Sequence, residues 1–219
     1  MRPFFHTSLL VATLMCCIPL HAQTSVTNYP LDTLRSWTPT EAVGDLNKDG
    51  YADLVLIATP RIAENMKKNE AGYEFNFNPP VLAIYWGQKD GSYVCWRQYD
   101  RVIPATENEY IFITPSLTIT PQGTLRIGLE QFSSAGSWGN YQTTFVYRYQ
   151  QGDFYLIGED EESMARNTGE AEYISVNYLT HKKQHRTYNA FDKKKRPKER
   201  WTNIPKKPLE KLGAKILGE

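Results

Sequence analysis

The feature that most constrains the fold is a series of short runs in which apolar and polar residues alternate. Successive side chains of a β-strand point to opposite sides, so these runs predict strands with one buried face. Turn sequences that contain glycine, including GQKDG, PQG and QQG, separate several of them. Glycine adopts the positive φ of a tight hairpin, so neighbouring runs should pair as antiparallel hairpins. The predicted strands are Asp53–Ala58, Val81–Trp86, Ser92–Tyr99, Ser116–Thr120, Thr124–Gln131, Thr143–Tyr149, Asp153–Gly158, Glu172–Leu179, Lys183–Tyr188 and a last strand around Trp201–Ile204.

This pattern predicts a mainly β fold, an antiparallel meander of hairpins forming an open, propeller-like or sandwich-like sheet. At most one or two short helices are expected. One is predicted at Pro60–Glu70, because proline suits the first position of a helix and charged residues follow it. The basic stretch Lys193–Arg200 is predicted to be a loop before the last strand.

The first 22 residues are typical of an export signal. Arg2 precedes an apolar run from Leu9 to Leu20, and Ala22 supplies a small residue before Gln23. The run is too short to cross a bilayer, which takes about 20 apolar residues, although a buried N-terminal helix is an alternative. We therefore expect cleavage after Ala22 and a periplasmic or secreted chain, residues 23–219, without a transmembrane segment.

The cysteines leave a second possibility for the N-terminus. Cys17 follows a leucine at a spacing found in lipoprotein signals, but the residue before it is Cys16 rather than a small one. Lipid anchoring through Cys17 is thus the less favoured alternative. Cleavage after Ala22 would leave Cys95 as the one cysteine of the mature chain, so no internal disulfide is expected.

The length of residues 23–219 predicts a single β-rich domain with a core of its own. The whole chain has a formal net charge of +1, which indicates no nucleic-acid partner. Basic residues gather in the C-terminal segment 181–219, and we interpret them as protection of an edge strand or as contact with an anionic surface. The acidic run Glu159–Glu162 is predicted to be a solvated loop.

The stretch GDLNKDGYADLVLI, residues 44–57, carries the clearest chemistry. Oxygen-bearing side chains and one backbone carbonyl stand at alternate positions of a loop that contains Gly50. Hard divalent cations such as Ca²⁺ take six or more oxygen ligands, and zinc and copper prefer His or Cys. A turn rich in Asn, Asp and Gly that binds no metal is the alternative. The predicted Ca²⁺ ligands are Asp45, Asn47, Asp49, the carbonyl of Tyr51, and Asp53.

The residues after the loop distinguish it from an EF-hand. An EF-hand has a bidentate Glu at position twelve, within a helix, whereas this loop has Leu56 there, within a predicted strand. The stretch resembles the D-x-[DN]-x-D-G-x-x-D-[LIV] loop of FG-GAP/VCBS repeats in integrin-like β-propellers, over residues 42–57. The resemblance implies a strand–calcium loop–strand unit with a structural role for the ion. A core of the form WG-Y-x-T-T–RYQ-G-x-F-x-L-I-G, from Trp138 to Gly158, resembles uncharacterised exported bacterial proteins and implies no activity.

No catalytic constellation is recognised in the sequence. His181 and His185 stand four residues apart, but their surroundings predict a hairpin rather than a metal-binding helix. The SSAGS stretch at residues 133–137 lacks the form of a nucleophile elbow.

The loop FSSAGSWGNY, residues 132–141, is the second candidate site. Trp138, Asn140 and Tyr141 combine aromatic rings with an amide, which suits stacking on a sugar ring or contact with a protein, unless Trp138 folds back onto the core. The sequence therefore predicts an exported β module that binds a protein or glycan ligand and carries a structural Ca²⁺ loop. The alternatives are a hydrolase of extracellular polymers and an inhibitor or accessory subunit of an envelope complex.

Overall fold

The computed structural model describes residues 28–106, 108–192 and 194–218. The predicted signal, residues 1–22, and Cys17 lie outside these ranges. The described chain contains helix α1 (Leu31–Ser36), a 3₁₀ turn (Ala63–Asn65) and thirteen strands. The strands are β1 (Thr40–Gly44), β2 (Asp53–Ala58), β3 (Met66–Lys68), β4 (Glu74–Asn76), β5 (Val81–Gly87), β6 (Tyr93–Tyr99), β7 (Ile111–Ile119), β8 (Thr124–Ser133), β9 (Gly139–Gln150), β10 (Asp153–Ala165), β11 (Glu170–Asn177), β12 (Lys182–Asn189) and β13 (Lys198–Asn203).

Antiparallel pairing organises the strands into two main sheets. A four-stranded sheet has the order β1-β2-β5-β6, and a seven-stranded sheet runs from β7 to β13 as a meander in chain order. The short hairpin β3–β4 forms a separate pair. Neither main sheet closes into a barrel within the described residues. The mainly β, antiparallel fold is thereby confirmed, and so are the predicted strands. None of the described helices is long and apolar enough to cross a membrane.

The main core lies between the two sheets. Val55 and Ile84 of the four-stranded sheet belong to the same buried cluster as Ile127 and Phe145 of the seven-stranded sheet. The arrangement is therefore sandwich-like over the part of the long sheet nearest β7.

The opposite face of the four-stranded sheet is also covered. Leu54, Leu56 and Tyr85 form a second cluster with Leu34 of α1, which is fully buried. Since β2 and β5 are covered on both faces, the sequence DLVLIA of β2 is buried along its whole length.

The C-terminal arm, residues 204–218, returns to the core. Strand β10 pairs with β11 only from Gly158 onward. The residues of β10 before Gly158 form backbone hydrogen bonds with the arm instead. Leu156 N–H donates to the Glu210 carbonyl at 2.8 Å, and Leu212 N–H donates to the Phe154 carbonyl at 2.9 Å. The side chain of Leu212 is buried in the core between the sheets.

The helix predicted at Pro60–Glu70 is wrong. This segment forms the 3₁₀ turn and then β3, which pairs with β4. Asparagine side chains hold the backbone out of the helical path: Asn76 Nδ2 donates to the Pro60 carbonyl at 2.8 Å, and Asn78 Nδ2 donates to the Ile62 carbonyl at 3.1 Å. Side-chain bonds of this kind compete with helical bonds.

One predicted loop proves wrong, and a second is wrong only in its last residues. The acidic run Glu159–Glu162 lies within β10, and part of the predicted loop Lys193–Arg200 lies in β13. Cross-strand partners explain the first case, since Tyr178 Oη donates to Glu159 Oε2 at 2.9 Å. Strand β13 stands at one edge of the long sheet and is exposed along its length, as expected for a basic edge strand.

Candidate metal loop and aromatic groove

The predicted metal loop connects β1 to β2 as a hairpin with several internal hydrogen bonds. Lys48 and Gly50 have φ values of 67° and 89°, which turn the chain sharply. Asp45 stabilises this turn, because its carboxylate accepts the Lys48 N–H at 2.7 Å and the Gly50 N–H at 3.0 Å. The first predicted ligand is thus fixed against the loop backbone.

The next two predicted ligands, Asn47 and Asp49, hydrogen-bond to each other within the loop. Asn47 Oδ1 accepts the Asp49 N–H at 3.0 Å, and Asn47 Nδ2 donates to Asp49 Oδ2 at 2.9 Å. Asp49 Oδ1 accepts the Tyr51 N–H at 2.8 Å. These side chains stay close to one another, and Asp49 faces solvent.

Asp53 differs from the other predicted ligands because it is fully buried, with 0% of its surface exposed. Its Oδ2 accepts the Leu46 N–H at 2.7 Å, and its Oδ1 accepts the Gly87 N–H at 3.0 Å. Burial raises the pKa of the carboxyl, and these backbone donors oppose the shift. Asp53 therefore connects the loop to the end of β5.

Gly87 permits this connection by its lack of a side chain. A Cβ atom at this position would lie 2.1 Å from the backbone oxygen of Ala52. The N–H of Gly87 reaches Asp53 only because the two backbones approach so closely. In the sequence, Gly87 was recognised only as the first residue of the turn GQKDG, and nothing indicated its partner.

The loop also stands where the two sheets meet. Leu46, between the first two predicted ligands, is 1% exposed and belongs to the core between the sheets. A Cβ on Gly44 would lie 2.6 Å from Ile119 Cγ2, and one on Gly123 would lie 2.8 Å from the Asp45 carbonyl oxygen. The loop is therefore packed against the β7–β8 hairpin, and its conformation is coupled to the packing of the sheets.

The loop offers only oxygen atoms as possible ligands, which is the ligand type that a hard divalent cation prefers. Its carboxylates, however, accept backbone N–H groups, and across residues 28–106, 108–192 and 194–218 no three His, Cys, Asp or Glu side chains converge as a metal site. An ionised carboxylate has about four lone-pair sites, so Asp45 and Asp49 can accept these N–H groups and still offer oxygen lone pairs to a cation, while the Asp53 carboxylate is fixed by its backbone donors.

Residues 38–73 match the FG-GAP repeat family. This matched segment begins just after α1, contains β1, the predicted metal loop, β2 and β3, and ends at the β3–β4 turn. It includes all five predicted ligand positions. No curated protein and no solved structure matches the chain.

A groove of about 580 Å³ lies over strands β9 to β12 of the seven-stranded sheet, and none of its lining residues belongs to the matched segment 38–73. Trp138 and Tyr141 line it, and their side chains are 65% and 47% exposed. The fold-back of Trp138 onto the core is therefore not observed. Asn140 is not among the lining residues, because it alternates with Tyr141 along β9 and faces the other side of the sheet.

Arg166 holds the loop that presents Trp138. Its Nη2 donates to the Ser133 carbonyl at 2.9 Å and to the Ser137 carbonyl at 3.1 Å. The guanidinium carbon lies 4.6 Å from the ring centre of Phe132 and 5.7 Å from that of Trp138. Sequence reasoning missed Arg166, because it lies 28 residues after Trp138 and no local pattern connects the two.

Charged side chains line the rest of the groove. Glu170 and Glu172 come from β11, and Lys195, Arg196 and Lys198 come from the β12–β13 connection and the start of β13.

The two histidines do not come together as a metal site in the described chain. His181 lies in the β11–β12 turn with φ of 55°, and His185 lies within β12. His185 Nε2 is 2.5 Å from Glu172 Oε1, beside the groove.

Proposed function

We propose that the protein is an exported β module that binds an extracellular partner, and that Ca²⁺ in the FG-GAP loop stabilises its scaffold. The observation that carries the proposal is the position of this loop, which lies between the two sheets and has Leu46 in their common core. Export rests on the signal predicted for residues 1–22.

The bonds of the loop support a structural role for the ion. Asp49 is exposed and Asp45 and Asn47 are half-buried, so solvent Ca²⁺ can reach this side of the loop, whereas Asp53 is buried and bonded to Leu46 and Gly87. Neutralising several carboxylates would strengthen the loop and, through Leu46, the packing of the sheets. Extracellular calcium is abundant enough to fill sites with dissociation constants of about 10⁻⁴–10⁻³ M.

The groove beside Trp138 in the seven-stranded sheet supports partner binding. Exposed aromatic side chains that are held in place by neighbours lose little conformational entropy on binding, which makes them effective anchors. Trp138 meets this description because Arg166 fixes its loop. FG-GAP repeats belong to interaction-type modules, in keeping with a protein or glycan ligand.

The calcium proposal is tested by calorimetric titration of the purified protein together with thermal melts in Ca²⁺ or EDTA. One binding site is expected. At about 10 mM Ca²⁺ the melting temperature should rise by roughly 3–10 °C, which corresponds to about 1.4–2.7 kcal/mol of linkage at these affinities. Asp49→Ala should abolish the shift.

Asp90→Ala is the matched control, since Asp90 is also an exposed aspartate whose carboxylate accepts a backbone N–H in a hairpin turn. This variant should keep the full response to Ca²⁺. If the wild-type protein releases no binding heat and melts at the same temperature in Ca²⁺ and EDTA, the loop is a metal-free turn and the proposal fails.

A further inference from the structure

We propose that the groove beside Trp138 binds an oligosaccharide that carries carboxylate groups. This inference rests on the proposed function, because it specifies the partner of the same exported module. The occupant would stack its rings on Trp138 and Tyr141, the aromatic wall of the groove, and place its anionic groups against Lys195, Arg196 and Lys198, the basic wall.

The aromatic wall supplies the surface for the sugar rings. Trp138 and Tyr141 expose their rings to the groove, and a pyranose presents an apolar face that stacks on an aromatic ring. Arg166 keeps Trp138 in position before any ligand arrives. The volume of about 580 Å³ falls within the range of roughly 300–1,000 Å³ that is usual for small-ligand sites, so a few sugar units fit.

The basic wall supplies the charge. Lys195, Arg196 and Lys198 line the groove, and none of them forms an ion pair with another described residue. Arg196 matches a carboxylate with two parallel donors. Glu170 and Glu172 also line the groove, and carboxylate oxygens accept hydrogen bonds from the hydroxyl groups of a sugar. One oxygen of Glu172 is already paired with His185, so Glu170 is the freer acceptor of the two. An occupant with both hydroxyl and carboxylate groups satisfies both walls.

The sheet itself argues against an extended peptide as the occupant. A peptide that adds to a sheet needs a free strand edge, but the strands β9, β10, β11 and β12 are each paired on both sides. The edge strand β13 has a free edge, but it contributes only Lys198 to the groove. The groove lies over strands β9 to β12, and its lining offers aromatic and charged side chains for recognition. Such a lining favours a ligand recognised through rings and polar groups.

The test measures binding of three probes to the purified protein by calorimetry: hexagalacturonate, maltohexaose and poly-L-glutamate. The first carries sugar rings and carboxylates, the second only rings, and the third only carboxylates. We expect hexagalacturonate to bind at least about tenfold more tightly than either of the others, and its affinity to fall as salt rises.

Variants locate the site. Trp138→Ala and Arg196→Gln should each weaken hexagalacturonate binding by about tenfold or more, as expected for anchor residues. Trp201→Ala is the control for the first, since Trp201 is 58% exposed but does not line the groove, and Lys206→Gln is the control for the second. Both controls should bind like the wild type.

Several outcomes would overturn the inference. Poly-L-glutamate binding as tightly as hexagalacturonate would identify an acidic peptide as the occupant, and maltohexaose binding as tightly would remove the role of the basic wall. Loss of binding in Trp201→Ala, or no binding of hexagalacturonate at all, would exclude the groove. The calcium titration and melts are independent of these results, so failure of the saccharide inference is distinguishable from failure of the calcium proposal.

Discussion

Replacing Asp53 by alanine should destabilise the protein even when calcium is chelated. The carboxylate accepts two backbone N–H groups in buried bonds, from Leu46 and Gly87. Each buried donor left without an acceptor costs about 1–3 kcal/mol. Burial raises the pKa of Asp53, so the ionised carboxylate carries a desolvation cost that alanine removes. The net loss of unfolding free energy should be about 2–4 kcal/mol, or a fall of roughly 5–15 °C in melting temperature.

The contrast with Asp49→Ala makes this prediction specific. Asp49 is exposed, and its bonds are confined to the loop. Its replacement in EDTA should cost less than about 1 kcal/mol, in line with other exposed hydrogen bonds. In Ca²⁺, however, Asp49→Ala should lose the stabilisation that the wild-type protein gains. Urea denaturation of both variants, in EDTA and in Ca²⁺, separates the structural bonds of the loop from its metal response.

The reasoning is refuted if Asp53→Ala unfolds in EDTA within about 0.5 kcal/mol of the wild-type protein. It is equally refuted if Asp49→Ala and Asp53→Ala lose the same free energy in EDTA. Either result would mean that the bonds to Leu46 and Gly87 contribute no more to stability than the exposed bonds of the turn.

Three further predictions concern positions outside the set of predicted ligands. Gly87→Ala should lower the free energy of unfolding by about 1–3 kcal/mol, because the added Cβ would lie 2.1 Å from the backbone oxygen of Ala52. Urea denaturation measures this loss, and a loss below about 0.5 kcal/mol would contradict the close approach of the two backbones. Burial raises the pKa of Glu159, so its contribution to stability is full below the unfolded pKa of 4.5 and is lost as the pH rises through the folded pKa. The stability of the wild-type protein relative to Glu159→Gln, measured by urea denaturation, should therefore fall as the pH rises above 4.5. A difference that stays constant with pH would disprove the shift. Leu212→Ala should lower the free energy of unfolding by about 2–5 kcal/mol in chemical denaturation, because Leu212 is buried. Leu179 is exposed, so Leu179→Ala should change this free energy little. Equal losses in the two variants would show that the C-terminal arm is not part of the core.

Much of the β architecture was predictable because its causes are local. Alternation of apolar and polar residues identified the long strands, and the glycines of the hairpin turns marked their ends. Gly91, Gly123 and Gly152 all have positive φ, as the hairpin turns require. Trp86 and Trp96, on the two strands of the β5–β6 hairpin, have ring centres 5.3 Å apart.

The errors occurred where distant residues decide the local conformation. Pro60–Glu70 has the composition of a short helix, but Asn76 and Asn78 bind its carbonyl groups from the far side of the β3–β4 turn. The acidic run Glu159–Glu162 has the composition of a loop, but pairing with β9 and β11 makes it part of a strand. Local preferences amount to tenths of a kcal/mol per residue, and tertiary contacts outweigh them.

The sequence by itself determined the strand pattern, the oxygen-rich loop at residues 45–53 and its likeness to an FG-GAP repeat, because these depend on residue type and spacing along the chain. The tertiary structure alone decided that the two sheets share one core, that Asp53 is buried against Gly87, and that Arg166 holds Trp138 beside a basic wall. These features join residues that lie tens of positions apart. Their contacts arise from the packing of whole strands, which no short stretch of sequence encodes.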